Sequence, residues 1–297
     1  MPVNQRKMMM RQCFCQSGRE IKSQPFLAYA SRVSENAGPF SRFMHMHPET
    51  VEIILITDGE GEYFIGNRTY PVRQGDLVIY NSQVVHDEYL EKDRPIGTIC
   101  CGINNLSRPG LRLNALIPDD VVPVYPLYHH YDTIFMLMNA TFMILNHGAV
   151  NGPAMAQSLM KVLLAYIDSN ILPQPDGRAA RRGESLPACI KNYIDLNFHE
   201  PIRLETLALR FNVSPFYVSH EFKKRYGYSP MDYLIKRRLG EAQSLLTTAE
   251  GGREKITSIA YRVGFSNLSH FQNYFKNKVG KTPGQYRKDY RKANLRA

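Results

Sequence analysis

The chain has 297 residues, 43% hydrophobic and 22% charged, an ordinary globular composition with room for two domains that each bury a core, which excludes a membrane-embedded or low-complexity protein. The formal net charge of +10 is unevenly spread: residues 186–297 hold 20 Lys and Arg against nine acids, net +11, while the remainder holds 17 against 18, net −1. No run approaches the length of a membrane span, no secretory leader is recognisable, and five cysteines without paired zinc-ligand spacing read as reduced thiols, with Cys13-Phe-Cys15 a weak metal-binding pair at most; a cytoplasmic location is expected.

Residues 1–24 are polar and methionine-rich without a clear period, so a flexible arm is expected there. Over residues 25–107 short apolar runs alternate with turn signals: Val51-Glu-Ile-Ile-Leu-Ile, Gly59-Glu-Gly61, Tyr63-Phe-Ile, Gly66-Asn, Gly75-Asp and Leu77-Val-Ile-Tyr. Strands at this spacing predict a small antiparallel sandwich or barrel. His45-Met-His47 followed by Glu52 and Gly59, and Pro71-x-x-x-Gly75-Asp with His86 beyond, resemble the two motifs of the cupin barrel. The resemblance implies that His45, His47, Glu52 and His86 converge, as the ligands of metal-bearing cupins do. Three readings stay open: a metal site, an effector pocket lined by these residues, or histidines that serve packing alone. Tyr63 and Tyr80 lie on strands that can face the same interior, where a phenol stacks on or hydrogen-bonds a sugar or an aromatic acid. The expected effector pocket is therefore His45, His47, Glu52, Tyr63, Tyr80 and His86, with no resident metal, no cofactor and no catalytic residue.

In residues 108–170, several prolines and Asp119-Asp120 mark a connecting loop. Ile134, Leu137, Met138, Phe142, Met143 and Leu145 then recur with helical period, as do Met155, Leu159, Val162, Leu163, Tyr166 and Ile167. Two amphipathic helices of this kind pack on the chain's own barrel or on a second subunit, and dimerisation is the expectation. Residues 171–187, with three prolines and two glycines, read as an interdomain linker, and a helix at 188–198 opens an all-α domain over residues 188–292.

That domain contains a repeat. Leu207, Ala208, Arg210, Phe211, Val213 and Ser214 return 52 positions later as Ile259, Ala260, Arg262, Val263, Phe265 and Ser266; Phe222, Lys223, Gly227, Ser229, Pro230 and Tyr233 return 53 positions later as Phe275, Lys276, Gly280, Thr282, Pro283 and Tyr286. Each copy reads as helix, short turn, helix, with Gly264 able to take positive φ and Ser266 or Asn267 able to cap the second helix. From Ser266 to Pro283 there is no acid, which suits a helix lying in a DNA groove. A single helix is predicted between the copies, long enough to set two recognition helices into adjacent major grooves.

The run I-A-Y-R-V-G-F-S-N-L-S-H-F-Q-N-Y-F-K-N-K-V-G-K-T-P-G-Q-Y-R resembles the signature of the AraC/XylS family of bacterial transcription regulators. The resemblance implies base-reading positions at Phe216, Ser219 and His220 in the first unit and Ser269, His270 and Asn273 in the second. Asn suits adenine, Ser and His several bases, and Phe a thymine methyl. Lys223, Lys224, Arg262, Lys276, Lys278 and Arg287 are assigned to phosphates, which position without selecting sequence. The function expected is a dimeric regulator that binds double-stranded promoter DNA under control of a small-molecule effector, a sugar or another metabolite, with RNA polymerase as a further partner and no membrane. A metal-dependent cupin enzyme fused to a DNA-binding domain is the alternative, and a nucleoid protein without sequence preference is a third.

Overall fold

The computed structural model describes residues 11–14, 24–33, 43–66, 68–87, 96–148, 150–172, 185–247 and 254–295. The N-terminal strands are β1 (Arg11–Phe14), β2 (Phe26–Val33), β3 (Thr50–Asp58), β4 (Glu60–Ile65), β5 (Arg68–Arg73), β6 (Asp76–Tyr80), β7 (His86–Asp87), β8 (Gly97–Asn104) and β9 (Val124–Pro126). They form two sheets, one in the order β1-β2-β8-β3-β6-β9 and one in the order β5-β4-β7. The cupin-like β domain is therefore present. Two of its strands lie where none was expected. β1 pairs with β2 from Arg11↔Arg32 to Phe14↔Tyr29, inside the segment expected to be a flexible arm. β9 pairs with β6 inside the expected connecting loop. Both are short edge strands, three or four residues long, and such a run is too brief to display a period of two.

β3 explains the continuous apolar run at residues 51–56. Ile54 and Ile56 face the smaller sheet, in a core that includes Tyr63, Ile65, Val72, Val78 and Tyr80. Ile53 and Leu55 face the other way, onto α1 (Tyr131–Asn146) and α2 (Gly152–Asn170), where they meet Ile134, Met138, Phe142, Leu163 and Ile167. A strand buried on both faces has no polar side to alternate with. The apolar stripe that marks α1 and α2 in the sequence is thus used largely on the chain's own sheet. What remains outward is a second stripe, Met136 and Met143 on α1 with Met155 and Val162 on α2, all exposed.

The linker expected over residues 171–187 lies mostly outside the described residues. The C-terminal domain is α3 (Leu186–Asn197), α4 (Leu204–Phe211), α5 (Pro215–Tyr226), α6 (Pro230–Thr247), α7 (Ile256–Arg262), α8 (Leu268–Val279) and α9 (Pro283–Leu295). α5 buries Val218, Phe222 and Tyr226, and α8 buries Phe271, Phe275 and Val279, each a single stripe at four-residue spacing. The two units meet at Gly264, whose φ is +92° and whose missing Cβ would lie 2.7 Å from the Phe198 carbonyl oxygen and 2.8 Å from Arg238 Nε. Arg238 holds the same joint by donating to the carbonyls of Phe198 at 2.6 Å and Glu200 at 2.7 Å. No helix among the described residues is long and apolar enough to cross a membrane.

Candidate ligand site and nucleic-acid interface

The ligand site begins with a row across the larger sheet. Tyr29 on β2 pairs with Gly102 on β8, Gly102 with Glu52 on β3, and Glu52 with Tyr80 on β6. Directly paired residues share a face. Because Gly102 has no side chain, the Tyr29 ring lies over it, in space that a Cβ would occupy, and the Tyr29 hydroxyl reaches across to donate to Glu52 Oε1. Cys100 Sγ approaches the same oxygen at 3.6 Å. The other carboxylate oxygen, Oε2, is 3.3 Å from His47 Nε2 and 3.3 Å from His86 Nε2. Tyr80 stacks on His86 with ring centroids 3.9 Å apart.

His45 joins the site through a backbone bridge to His86, each amide donating to the other's carbonyl at 2.9 and 2.8 Å. The donor atoms of His45, His47, Glu52 and His86 all lie within 4.8 Å of one another. His45, Glu52 and His86 are buried, and His47 keeps a solvent-facing edge. The predicted convergence is therefore seen in space. Tyr63 lies in the core between the sheets, in the same cluster as Tyr29, Tyr80 and Cys100. Tyr29 and Cys100 were missed by sequence reasoning; only the strand order β2-β8-β3, which brings them beside Glu52, identifies them.

Tautomers follow from partners. His45 Nδ1 is 3.0 Å from the Phe43 carbonyl, and His86 Nδ1 is 2.9 Å from the Val84 carbonyl. A carbonyl only accepts, so both Nδ1 atoms carry hydrogen and a neutral ring then presents a bare Nε2 to the site. His47 Nε2, His86 Nε2 and Glu52 Oε2 are buried and, although close, are not aligned as hydrogen bonds. Burial works to raise the Glu52 carboxyl, but the neighbouring His47 and His86 outweigh it and hold it well below the usual carboxylate range. These facing atoms are satisfied by a proton on an imidazole, giving an imidazolium–carboxylate pair, or by a cation between them. A tetrahedral ion with ligand bonds of about 2.0–2.1 Å sets its donors about 3.3 Å apart, so the residues fit a divalent transition metal.

The second surface is on the C-terminal domain. Ser214 caps α5 by accepting from the Tyr217 amide, and Asn267 caps α8 by accepting from the His270 amide. Of the positions assigned to bases, Phe216, His220, Ser269, His270 and Asn273 are exposed and Ser219 is half-buried. Phe216 is 78% exposed and stacks on His220, one turn on, at 5.9 Å. Tyr217 and Gln272 are also exposed. The offset of 53 pairs Tyr217 with His270 and Ser219 with Gln272, a signal already present in the repeat. Lys223, Lys224, Lys276 and Lys278 are exposed toward the C-terminal ends of the two helices. Arg262 is ion-paired with Glu254 at 3.0 Å. Arg287 is half-buried, which works to lower its affinity for a proton, so it is less available to phosphate than the lysines.

Comparison with known proteins agrees with this division. Residues 30–163 match the family model described as an AraC-like ligand binding domain, and residues 207–289 match one described as a helix-turn-helix domain. The chain is 28% identical over 254 residues to the uncharacterized HTH-type transcriptional regulator YdiP of Escherichia coli, covering 83% of this chain and 81% of that one. It is 24% identical to the HTH-type transcriptional activator RhaS of Citrobacter koseri, covering 84% and 89%. Among solved structures, the C-terminal domain of the response regulator yesN from Fusobacterium nucleatum is 34% identical over 33% of this chain and 94% of that one, with a TM-score of 0.32.

Proposed function

Because the chain belongs to the AraC family of transcription regulators, we propose that α5 and α8 read two segments of one promoter and that the His45–His47–Glu52–His86 site holds the signal controlling them. The DNA reading is carried by one observation: two capped helices with exposed, uncharged polar faces, each followed by lysines, flank the 18-residue α6. At 1.5 Å per residue α6 spans about 27 Å, compatible with adjacent major grooves about 34 Å apart. Phe216, Tyr217, His220, Ser269, His270, Gln272 and Asn273 face base edges, and Lys223, Lys224, Lys276 and Lys278 meet phosphates. Ser219 lies at the edge of the reading face, and Arg262 and Arg287 contribute less.

For the ligand site, the two Nδ1–H groups fixed by backbone carbonyls support a divalent transition metal as the species bound, with oxygen atoms of a sugar or other metabolite completing its coordination. Such an ion supplies charge and Lewis acidity. The chain's own residues orient the rings, bury the carboxylate and, through Tyr29 and Cys100, occupy its other oxygen. The role is regulation rather than catalysis, in keeping with relatives that are transcriptional regulators over most of their length. A cytoplasmic location and a homodimer formed through Met136, Met143, Met155 and Val162 complete the reading, with RNA polymerase as partner at the promoter. The experiment is equilibrium dialysis of the purified chain against Zn²⁺ and Co²⁺, followed by metal analysis. About one ion per chain, lost in His86→Ala, is expected. No retention by the native chain, or retention unaffected by His86→Ala, would contradict the metal assignment.

A further inference from the structure

The segment that carries His45 does not stop at the barrel. Its preceding residues, Phe43 and Met44, leave the ligand site and are buried against α6. The Phe43 amide donates to Gln243 Oε1 at 2.9 Å. The Phe43 and Met44 carbonyls lie against Gly240 so closely that a Cβ there would overlap both. Phe43 belongs to the same apolar cluster as Leu239, Ala242, Ile259 and Phe275, the core of the second helix-turn-helix unit. Met44 belongs to the cluster of Ile190, Val218, Phe222 and Tyr233, the core of the first. Two adjacent residues of the barrel therefore wedge into both DNA-reading units across the helix that joins them.

The other ligand-bearing segment ends at the same interface. His86 pairs with Ile65 and Asp87 with Phe64, and the Phe64 ring meets Tyr226, Tyr228 and Tyr233 edge-on, each at 6.4 Å. The backbone of one residue and two hydrogen bonds separate the His45 ring from α6. His45 Nδ1 donates to the Phe43 carbonyl, and the amide of that same residue is held by Gln243. The base-facing residues of α5 and α8 remain exposed in this docked arrangement, so it leaves both free to meet DNA.

We propose that Phe43–Met44 is an interlock: a divalent metal ion held by His45, His47, Glu52 and His86 fixes the His45 ring, through it the Phe43 carbonyl, and thereby the docked position of α6 and the relative placement of both recognition helices. The inference rests on the metal reading of the site and adds how occupancy reaches DNA. Loading orders a segment that two-site DNA binding otherwise has to order itself, so the ion raises affinity for a duplex that engages both units. Only their mutual geometry changes, and affinity for a duplex engaging one unit stays the same.

Gly240→Ala tests this directly. The three nearest atoms a Cβ would meet belong to Phe43 and Met44, and alanine favours a helix interior over glycine, so the substitution displaces the dock before it disturbs the packing of the C-terminal domain. Gln243→Ala is the second variant, removing the acceptor for the Phe43 amide. The full chain is titrated with Co²⁺, followed by its visible absorbance. DNA affinity is measured with and without the ion, on a duplex selected from a random pool, and hydrogen exchange of α6 is recorded in parallel.

The native chain is expected to bind Co²⁺, bind the duplex about tenfold more tightly when loaded, within the usual range of coupling between sites, and exchange α6 amides more slowly. Gly240→Ala is expected to bind Co²⁺ but lose the tenfold response, and Gln243→Ala to reduce it. An unchanged tenfold response in Gly240→Ala, or a native chain that binds Co²⁺ with neither DNA affinity nor α6 exchange altered, overturns the interlock and leaves the metal reading standing. Failure of the native chain to bind Co²⁺ overturns the metal reading and the interlock with it.

Discussion

Glu52 is a buried carboxylate whose two oxygens have different jobs. Oε1 takes the Tyr29 hydroxyl and approaches Cys100, while Oε2 faces His47 and His86. Groups that orient a metal ligand typically contribute 10–100-fold in metal affinity. Tyr29→Phe keeps the ring over Gly102 and removes only the donor, so it should weaken Co²⁺ binding by about 10–100-fold in a competition titration. On the proposed DNA-reading surface, Asn273 and Lys276 lie on one helix, α8, with different chemistry. Asn273→Ala should cost about 1–3 kcal/mol on the preferred duplex and relax one base position, whereas Lys276→Ala should weaken all sequences alike and lower the salt slope by about one. Binding across a randomised library at several salt concentrations separates them. Of the grouped residues, His45, His47, Glu52 and His86 were legible because their spacing matches a known pair of motifs. Tyr29 was not, because its closeness to Glu52 depends on β8 lying between β2 and β3 and on residue 102 being glycine.

The helix-turn-helix elements were legible because cores, caps and turns repeat together. Gly227 and Gly280 end α5 and α8 with φ of +78° and +81°, in the left-handed conformation that glycine adopts readily. Gly264 is different, since it is both left-handed and pressed against the first unit. Gly264→Ala should destabilise the chain by about 1–3 kcal/mol through backbone strain, with further loss if Phe198 and Arg238 must yield, as read from a denaturation midpoint. The helices α1 and α2 were legible as amphipathic but not in their partner. Periodicity reports an apolar face, and two faces compete here: one on the chain's own sheet and one, Met136, Met143, Met155 and Val162, on the outside. Met136→Glu combined with Val162→Glu should convert a dimer to a monomer in sedimentation, while changing thermal stability little, since each site is about half exposed or more.

At the scale of the whole molecule, charge and packing divide the labour. The net +11 of residues 186–297 supplies salt-dependent attraction to DNA, the near-neutral barrel carries the buried site, and Phe43–Met44 spans the two. That junction was not visible in the sequence, because a two-residue contact with a distant helix leaves no period. One chain is proposed to read two DNA segments with two unlike helices. Selection of the full chain against random-sequence duplex, followed by sequencing, tests it most directly. Two distinct enriched motifs whose centres lie about one helical turn, 10–10.5 base pairs, apart are expected, with Asn273→Ala altering one and leaving the other. Enrichment of a single short motif, or no sequence preference at any salt concentration, would contradict it.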